Sequence, residues 1–567
     1  MNGESEREEP GLMDAMNSAD PFGIGKATLE VWRAMLSEPD KLVESQKRFA
    51  QMWLEILERS AERVAGDGTA PVIEPDANDK RFQNPAWTEN PALDAMKQAY
   101  LLMTQAFLSA IDATDVEPAA KRRAKFFAKQ FCDMMSPTNV AFLNPDVVEE
   151  TMRTGGQNLV EGLRNLAKDQ VENQGRVALV DTQAFKVGEN VGTTPGKVVF
   201  RNELLELIRY DTTTETVYKR PLVIVPPWIN KYYILDLQQK NSFVKHATDA
   251  GFQTFVVSWR NPDASMAGVA MSDYVTKGAL VAAQVAGEIA GSNKVTMNGY
   301  CIGGTLLAML MAYLKRKPAA EGDPVITAAT YMASLVDFKE PGEIVNFLGE
   351  DALAYIEGKM SERGYLEGSE MADTFTMLRA NDLIWTPAVN RYLLGKDAPA
   401  FDLLYWNNDS TRMPAAMHSY YLRHMYLANE LIEPGALEVD GVPIDLGAID
   451  QPIYIIATKD DHIAPWRSVY TLTQLVSGPC LFRLANSGHI AGIVNPPGGK
   501  KAQYWASKDD PKDPDEWLLH AKLREGSWWP DWYEWLGAQS GKRQAPPAAN
   551  EKYPALENAP GSYVLVK

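Results

Sequence analysis

The chain has 567 residues, 45% hydrophobic and 23% charged, an ordinary globular composition long enough for more than one core. Its net charge of −18 argues against nucleic acid as a main partner and gives no general attraction to an anionic membrane. Three cysteines without paired spacing, Cys132, Cys301 and Cys480, fit a reducing cytoplasm and indicate neither a zinc site nor a disulfide framework.

The acidic, polar start, Met1 to Pro10, does not read as a signal peptide, and no apolar run is long enough to span a bilayer. Residues 1 to about 25 read as a loose tail. Leu29, Trp32 and Leu36, then Leu42, Phe49, Trp53 and Ile56, recur at helical spacing, with Pro39-Asp40 starting the second helix. Residues 66–92 carry Gly, Pro, Asp and Asn and read as a linker or long loop. Leu93, Met96, Tyr100, Met103 and Phe107 form another stripe, and the basic run Lys121 to Lys125 reads as a solvated helix face. Asn144-Pro145-Asp146 supplies a cap and a first-turn proline for a helix to about residue 170.

The pattern changes near Arg176. Val177–Val180, Ala184–Val187, Lys197–Phe200 and Leu205–Ile208 predict an antiparallel start. Leu222–Val225 is a continuous apolar run, as a strand buried on both faces requires. Thr254–Trp259, Val295–Met297, Val325–Ala328, Ile453–Ile456 and Leu481–Leu484 continue the series with helical stretches between most of them. Such alternation predicts a mostly parallel, doubly wound sheet. From Val336 to Gln451 no clear buried strand is found, and an insertion there is placed to form a cap. Trp528 to Trp535 reads as a terminal amphipathic helix on the sheet, and residues 537–560 as flexible.

The chemistry centres on Val295-Thr-Met-Asn-Gly-Tyr-Cys301-Ile-Gly-Gly-Thr305, a strand, a glycine turn and a helix start. This is the context of the G-x-S-x-G nucleophile elbow, with cysteine in place of serine. The helix start offers free N–H groups and a positive dipole end, which favour a thiolate and a developing oxyanion. A nucleophilic cysteine needs a base and a group that orients it. Of six histidines, only His489 follows an apolar strand late in the chain, in a glycine-bounded loop. The preceding strand leads into Asp460-Asp461, either of which can serve as the acid, and His462 reads as a structural neighbour. The N–H of Ile302 supplies one oxyanion donor, and the loop Pro226 to Asp236 can supply a second. Cysteine exchanges with a thioester at little net free-energy change, which points to acyl transfer from a thioester donor.

Several segments together, Val225–Leu237, Ser258–Gly268, Gly299–Gly304, Asp461–Trp466, Ser487–Gly492 and Gly526–Trp532, resemble the class I polyhydroxyalkanoate (poly(3-hydroxybutyrate)) synthases over about residues 190–535. The resemblance implies an α/β-hydrolase fold and an acyltransferase that polymerises (R)-3-hydroxyacyl-CoA, with release of CoA, through a cysteine-bound thioester. Carried over by motif, Cys301 is the acyl-bearing nucleophile, His489 its base, and Asp461 the third member, while Ile302 and Ile234 give the oxyanion N–H groups. Residues 1–180 form a helical N-terminal domain and 181–567 the catalytic domain, with a cap over about 340–445. The expected partners are the CoA thioester, the growing polyester and its granule surface in the cytoplasm, and a second copy of the chain docked through the cap. No resident cofactor or metal is expected. Two rival readings stand beside this one: a polyester depolymerase or thiol hydrolase on the same fold, and a non-catalytic granule-coat protein.

Overall fold

The computed structural model describes residues 20–65, 70–76 and 79–567. Residues 1–19 of the expected tail, and 66–69 and 77–78 of the expected linker, lie outside them. The chain divides into two compact units. One holds residues 1–181, 346–355 and 373–399, and the other 182–345, 356–372 and 400–567. The expected cap, 340–445, is therefore shared between the two units.

The first unit is helical: α1 (Ile24–Ser37), α2 (Pro39–Ala65), α3 (Pro91–Asp112), α4 (Pro118–Met134), α5 (Pro145–Thr154) and α6 (Gln157–Glu172). Helix α5 begins as the sequence predicts, with the Asn144 side chain accepting from Asp146 N–H at 3.0 Å and Pro145 in the first turn. The buried face of α1 is Ala27 and Val31, which meet Ile111, Ala120, Ala124 and Ala128. Leu29, Trp32 and Leu36 lie on its exposed side, because small residues let the helices approach more closely than large ones. Part of the expected linker is folded, with Trp87 fully buried against Phe82 and Tyr100. Arg123, expected in a solvated run, instead donates to the Asn346 carbonyl at 3.1 Å. Segment 373–399 joins this unit through a buried ion pair, Arg391 Nε to Asp169 at 2.7 Å.

The second unit is built on an eleven-stranded sheet. Its strands are β1 (Gly196–Arg201), β2 (Leu205–Tyr210), β3 (Leu222–Val225), β4 (Thr254–Trp259), β5 (Lys294–Tyr300), β6 (Val325–Met332), β7 (Ile453–Thr458), β8 (Cys480–Ala485), β9 (Gln503–Ala506), β10 (Lys522–Glu525) and β11 (Glu557–Asn558). The spatial order is β10-β9-β8-β7-β6-β5-β3-β4-β2-β1-β11. Strands β4, β3, β5, β6, β7 and β8 run parallel, flanked by antiparallel edges. Every residue of β3 and β4 is buried, as a strand covered on both faces demands. The chain goes from β3 to β4 on one side and then to β5 on the other. That reversal is a topological switch point at the carboxyl ends of β3 and β5, where doubly wound sheets place their ligands.

Three expectations change here. Val177–Val180 and Ala184–Val187 form no strand, because neither segment finds a neighbouring strand edge. Residues 537–560 are not structureless: Arg543–Gln544 pairs with Val217–Tyr218, and β11 adds to the sheet edge. Strand β10, Lys522-Leu-Arg-Glu525, went unread because its charged, exposed residues have the composition of a sheet edge, and β9 because Gln503-Tyr-Trp-Ala506 is too short to show an alternation. Between β6 and β7 the strands are only two residues long, as in Tyr365–Leu366 with Met413–Pro414.

Candidate active site

Strand β5 ends at Tyr300, and helix α8 (Ile302–Arg316, with α7 at Leu280–Ala290) begins immediately after Cys301. Cys301 itself sits at φ 52°, ψ −126°, a strained backbone for a residue with a Cβ. Such strain costs about 1–3 kcal/mol and persists only where the surroundings over-determine it. Here Cys301 N–H donates to the Met332 carbonyl at 2.8 Å and its carbonyl accepts from Gly304 N–H at 2.9 Å. The glycines are required by space. A Cβ on Gly299 would lie 2.4 Å from Gly304 Cα, and one on Gly303 would lie 2.1 Å from the Val225 carbonyl oxygen. The elbow is thus pressed against the end of β3, and its thiol is left partly accessible. Ile302 is the first residue of α8, where helix N–H groups have no partner within the helix.

Asp461 follows β7 and is buried. One carboxylate oxygen accepts Ile463 N–H and Ala464 N–H, both at 2.9 Å. The other accepts the Thr458 hydroxyl at 3.0 Å and meets His489 Nδ1 at 2.7 Å. Of the two candidate acids, it is therefore Asp461 that reaches the histidine, while the Asp460 side chain is exposed. The Asp460 N–H holds the histidine loop instead, donating to the Ser487 carbonyl at 3.0 Å.

His489 follows β8 through a turn in which Ser487 takes φ 73°. Tyr300 donates its hydroxyl to the His489 carbonyl at 3.1 Å and stacks on the imidazole with centroids 5.6 Å apart. Burial disfavours the imidazolium, but the charges of Asp461 and Cys301 and hydrogen bonds to both outweigh it, so His489 titrates well above its ordinary range. Burial likewise raises Asp461, yet the His489 charge and the four hydrogen bonds hold it below the usual carboxylate range. The result is a chain of interacting groups, Asp461, His489 and Cys301, on three different loops at the carboxyl ends of β7, β8 and β5.

Of the remaining sequence candidates, Ile234 lies near the elbow, while the other histidines and cysteines below fall elsewhere. Ile234 lies on the short helical turn Tyr232–Asp236, fully buried in the cluster that contains Tyr300 and receives Cys301. The segment in direct contact with the elbow is the end of β3, Val225–Pro226. His246 packs on Trp529, and His424 pairs with Glu430. His418 is buried, and burial lowers its pKa to about 4. Cys132 is buried in the helical unit, and burial pushes the Cys480 thiol up to about 12. Among the described residues, no group of three or more His, Cys, Asp or Glu side chains is arranged to hold a metal ion, and no helix is long and apolar enough to cross a membrane.

Sequence reading missed the supports of the triad. Thr458 closes β7, and its hydroxyl holds Asp461; its spacing three residues before the acid was the available signal. The tryptophans of helix α9 (Trp529–Gln539) and its cap brace the histidine loop. Trp528 Nε1 donates to the Gly492 carbonyl at 3.0 Å and Trp529 Nε1 to the Ile493 carbonyl at 2.9 Å. Trp529→Ala is expected to lower stability by roughly 3–5 kcal/mol through the cavity it leaves. Trp529→Phe should cost about 1–3 kcal/mol, since a buried carbonyl loses its donor. Urea titration of both variants measures the difference, and a Trp529→Phe protein as stable as the wild type would show that the hydrogen bond is immaterial.

A family model described as the N-terminus of poly-beta-hydroxybutyrate polymerase matches residues 78–247, and the α/β hydrolase fold model matches residues 220–496. The chain is 42% identical to the poly(3-hydroxyalkanoate) polymerase subunit PhaC of Rhizobium meliloti, over 95% of this chain and 87% of that one. It is 41% identical to the poly(3-hydroxyalkanoate) polymerase of Methylorubrum extorquens, over 95% and 88%. It is 40% identical to the subunit PhaC of Cupriavidus necator, over 93% and 89%. A cysteine elbow, an aspartate-held histidine and this similarity along nearly the whole length mark a single conclusion: the chain belongs to the poly(3-hydroxyalkanoate) polymerase family, on an α/β-hydrolase fold.

Proposed function

We propose that this chain polymerises (R)-3-hydroxyacyl units from CoA thioesters into polyester through an acyl group carried on Cys301. The observation that carries the reading is His489, held by Asp461 at 2.7 Å on one side and interacting with Cys301 on the other. His489, which titrates well above its ordinary range, holds the Cys301 proton, and the sulfur attacks the thioester carbonyl as the thiolate. The C–S bond to CoA breaks, and His489 returns the proton to the leaving thiolate, giving free CoA and acyl-Cys301. A 3-hydroxyl oxygen then attacks a thioester carbonyl, His489 or Asp461 assisting removal of its proton; the C–S bond of that thioester breaks, an ester bond forms in its place, and the proton passes to the departing thiolate. Exchange between thioesters is nearly isoenergetic, and formation of an oxoester from a thioester is downhill, so no resident cofactor or metal is called for. The N–H groups of Ile302 and Ile234 serve the tetrahedral oxyanion.

Acyl-Cys301 must be shielded from water, yet CoA and a long polyester must leave. The insertion over about 340–445 is therefore assigned as a movable cap. Its apolar faces favour a homodimer through the cap, and the polyester product favours a position on the granule surface in the cytoplasm. The helical residues 1–180, with 346–355 and 373–399 in the same compact unit, act as a domain separate from the catalytic one.

The test is CoA release measured in parallel with polymer mass, using (R)-3-hydroxybutyryl-CoA and longer donors. Release matched by polymer supports the reading; release without polymer makes the chain a hydrolase. Hydrogen exchange over 340–445 tests the cap. Faster exchange there, slowed by a substrate analogue, is expected, and uniform, unchanged protection would reject gating.

A further inference from the structure

The loop that leaves β3 turns sharply before it reaches Ile234. Asn230 takes φ 63°, in the left-handed region that is costly for a residue with a Cβ. Such a backbone persists only where its surroundings over-determine it. Those surroundings come from one stretch of the insertion between β6 and β7, the helix Asp402–Asn408 and the residues just after it. Asn230 N–H donates to the Thr411 hydroxyl oxygen at 2.8 Å, and that hydroxyl donates to the Trp228 carbonyl at 2.7 Å. Trp406 Nε1 donates to the Lys231 carbonyl at 2.6 Å. Loop and stretch belong to the same compact unit.

Asp409 holds the turn itself. One carboxylate oxygen meets Lys231 Nζ at 2.8 Å, and the other accepts the Tyr233 hydroxyl at 3.0 Å. The Lys231 side chain is 5% exposed and that of Asp409 13%, while Tyr233 is fully buried. Covering the turn would need no charge. Replacing a buried ion pair by apolar side chains is often neutral or stabilising, so this pair points to geometry rather than to stability. Asp409 grips the residues on both sides of Tyr232 and so fixes the rotation of the chain there. The next N–H along the turn is that of Ile234. The far end is anchored as well, with Asp236 accepting the Ser242 hydroxyl at 2.6 Å and Thr194 N–H at 3.2 Å. Ile234 lies between the two anchors, in the cluster against which Cys301 packs. The proposed reaction steps give Lys231, Tyr233 and Asp409 no task.

We propose that Asp409 is a positioning residue for acyl transfer: through Lys231 and Tyr233 it aims the Ile234 N–H at the thioester oxygen. This rests on the reading of Ile234 as the second oxyanion donor. Losing one such donor costs about 10²- to 10³-fold in rate. Misplacing a catalytic group by about 1 Å costs about 10²-fold.

The experiment compares two reactions of Cys301 in each protein. One is single-turnover acylation by (R)-3-hydroxybutyryl-CoA, read by intact-protein mass and CoA release. The other is alkylation by iodoacetamide, read on the Cys301 peptide. Alkylation displaces iodide from a CH₂ carbon and builds no oxyanion, so it reports the thiolate and its histidine alone. Asp409→Asn should slow acylation at saturating donor roughly 10- to 100-fold and leave alkylation at the wild-type rate. A buried lysine without its partner threatens the fold, so Tyr233→Phe is the second variant. It keeps the ring and the ion pair and should slow acylation alone by roughly 2- to 10-fold, the equivalent of one hydrogen bond. An ester in place of the Tyr233–Ile234 amide, introduced with the α-hydroxy analogue of isoleucine, deletes the N–H itself. It should slow acylation alone by about 10²- to 10³-fold. Wild-type acylation in a folded Asp409→Asn protein, or in Tyr233→Phe where the first does not fold, would overturn the positioning role, and so would equal loss of both reactions. A backbone ester that acylates like the wild type would overturn the donor reading and the positioning role with it. No acyl adduct on wild-type Cys301 would overturn the carrier reading on which both depend.

Discussion

Cys301→Ala is expected to bring both CoA release and polymer formation below detection in a protein that still folds. The loss should be on the order of 10⁶-fold, as when a nucleophile is taken from a preorganised hydrolase-type site. The side chain stands alone at the elbow, at the start of α8, in a backbone conformation held by Met332 and Gly304. Alanine keeps that backbone and removes only the sulfur, so the unfolding midpoint should hardly move. Cys132→Ala and Cys480→Ala are the controls. Cys132 is buried in the helical unit, and burial raises the Cys480 thiol to about 12, far from a reactive thiolate. Activity near the wild-type level in a folded Cys301→Ala protein would end the assignment.

Replacing His489 by Gln should remove most turnover, roughly 10²- to 10⁴-fold, the usual contribution of a positioned acid–base group. An unassisted thiol, with a reference pKa of ~8.5, is largely protonated at neutral pH. Asp461→Asn should cost acylation less, because the imidazole survives while its orientation and charge partner are lost. The two variants also carry a signature in stability against pH. The folded pKa of His489 is raised above its ordinary 6.5. Its charged pairing therefore contributes stability fully below about 6.5, and this is lost as pH rises through the raised value. The folded pKa of Asp461 is lowered from 3.8, so its contribution is present above that pH and fades as pH falls through the lowered value. The stability gap between wild type and His489→Gln should consequently narrow as pH rises above neutrality. A gap that widens instead would mean that His489 is neutral in the folded protein and that its pairing with Asp461 is not ionic.

Local pattern carried a large part of this. The parallel strands were legible because burial on both faces demands unbroken apolar runs such as Leu222–Val225 and Ile453–Ile456. The elbow was legible because its tight turn admits only glycine at Gly299 and Gly303, which leaves a fixed spacing around Cys301. The start of helix α5 was legible from its cap and proline, but the helix expected to reach about residue 170 breaks after Thr154 at Gly155-Gly156, both at positive φ. His489 could be singled out by order alone, since the hydrolase arrangement places nucleophile, acid and histidine on successive strand ends.

Other features depend on what lies far away in the chain. Local sequence left Asp460 and Asp461 equivalent, and they were separated here by which side chain faces His489, 28 residues on. Residues 346–355 and 373–399 read like the rest of the insertion, yet they fold with the helical unit, because Arg391 meets Asp169 and Arg123 meets the carbonyl of Asn346. Short edge strands such as Glu557–Asn558 have too few residues to show an alternation, and a partner strand alone makes them strands. The braces of the site, Trp528 and Trp529 on the histidine loop and Tyr300 on His489, look in sequence like ordinary core aromatics. Sequence determines chemistry and period wherever a local backbone rule constrains residue type. Tertiary structure decides pairing, because hydrogen bonds and ion pairs between distant segments obey geometry and leave no spacing to read.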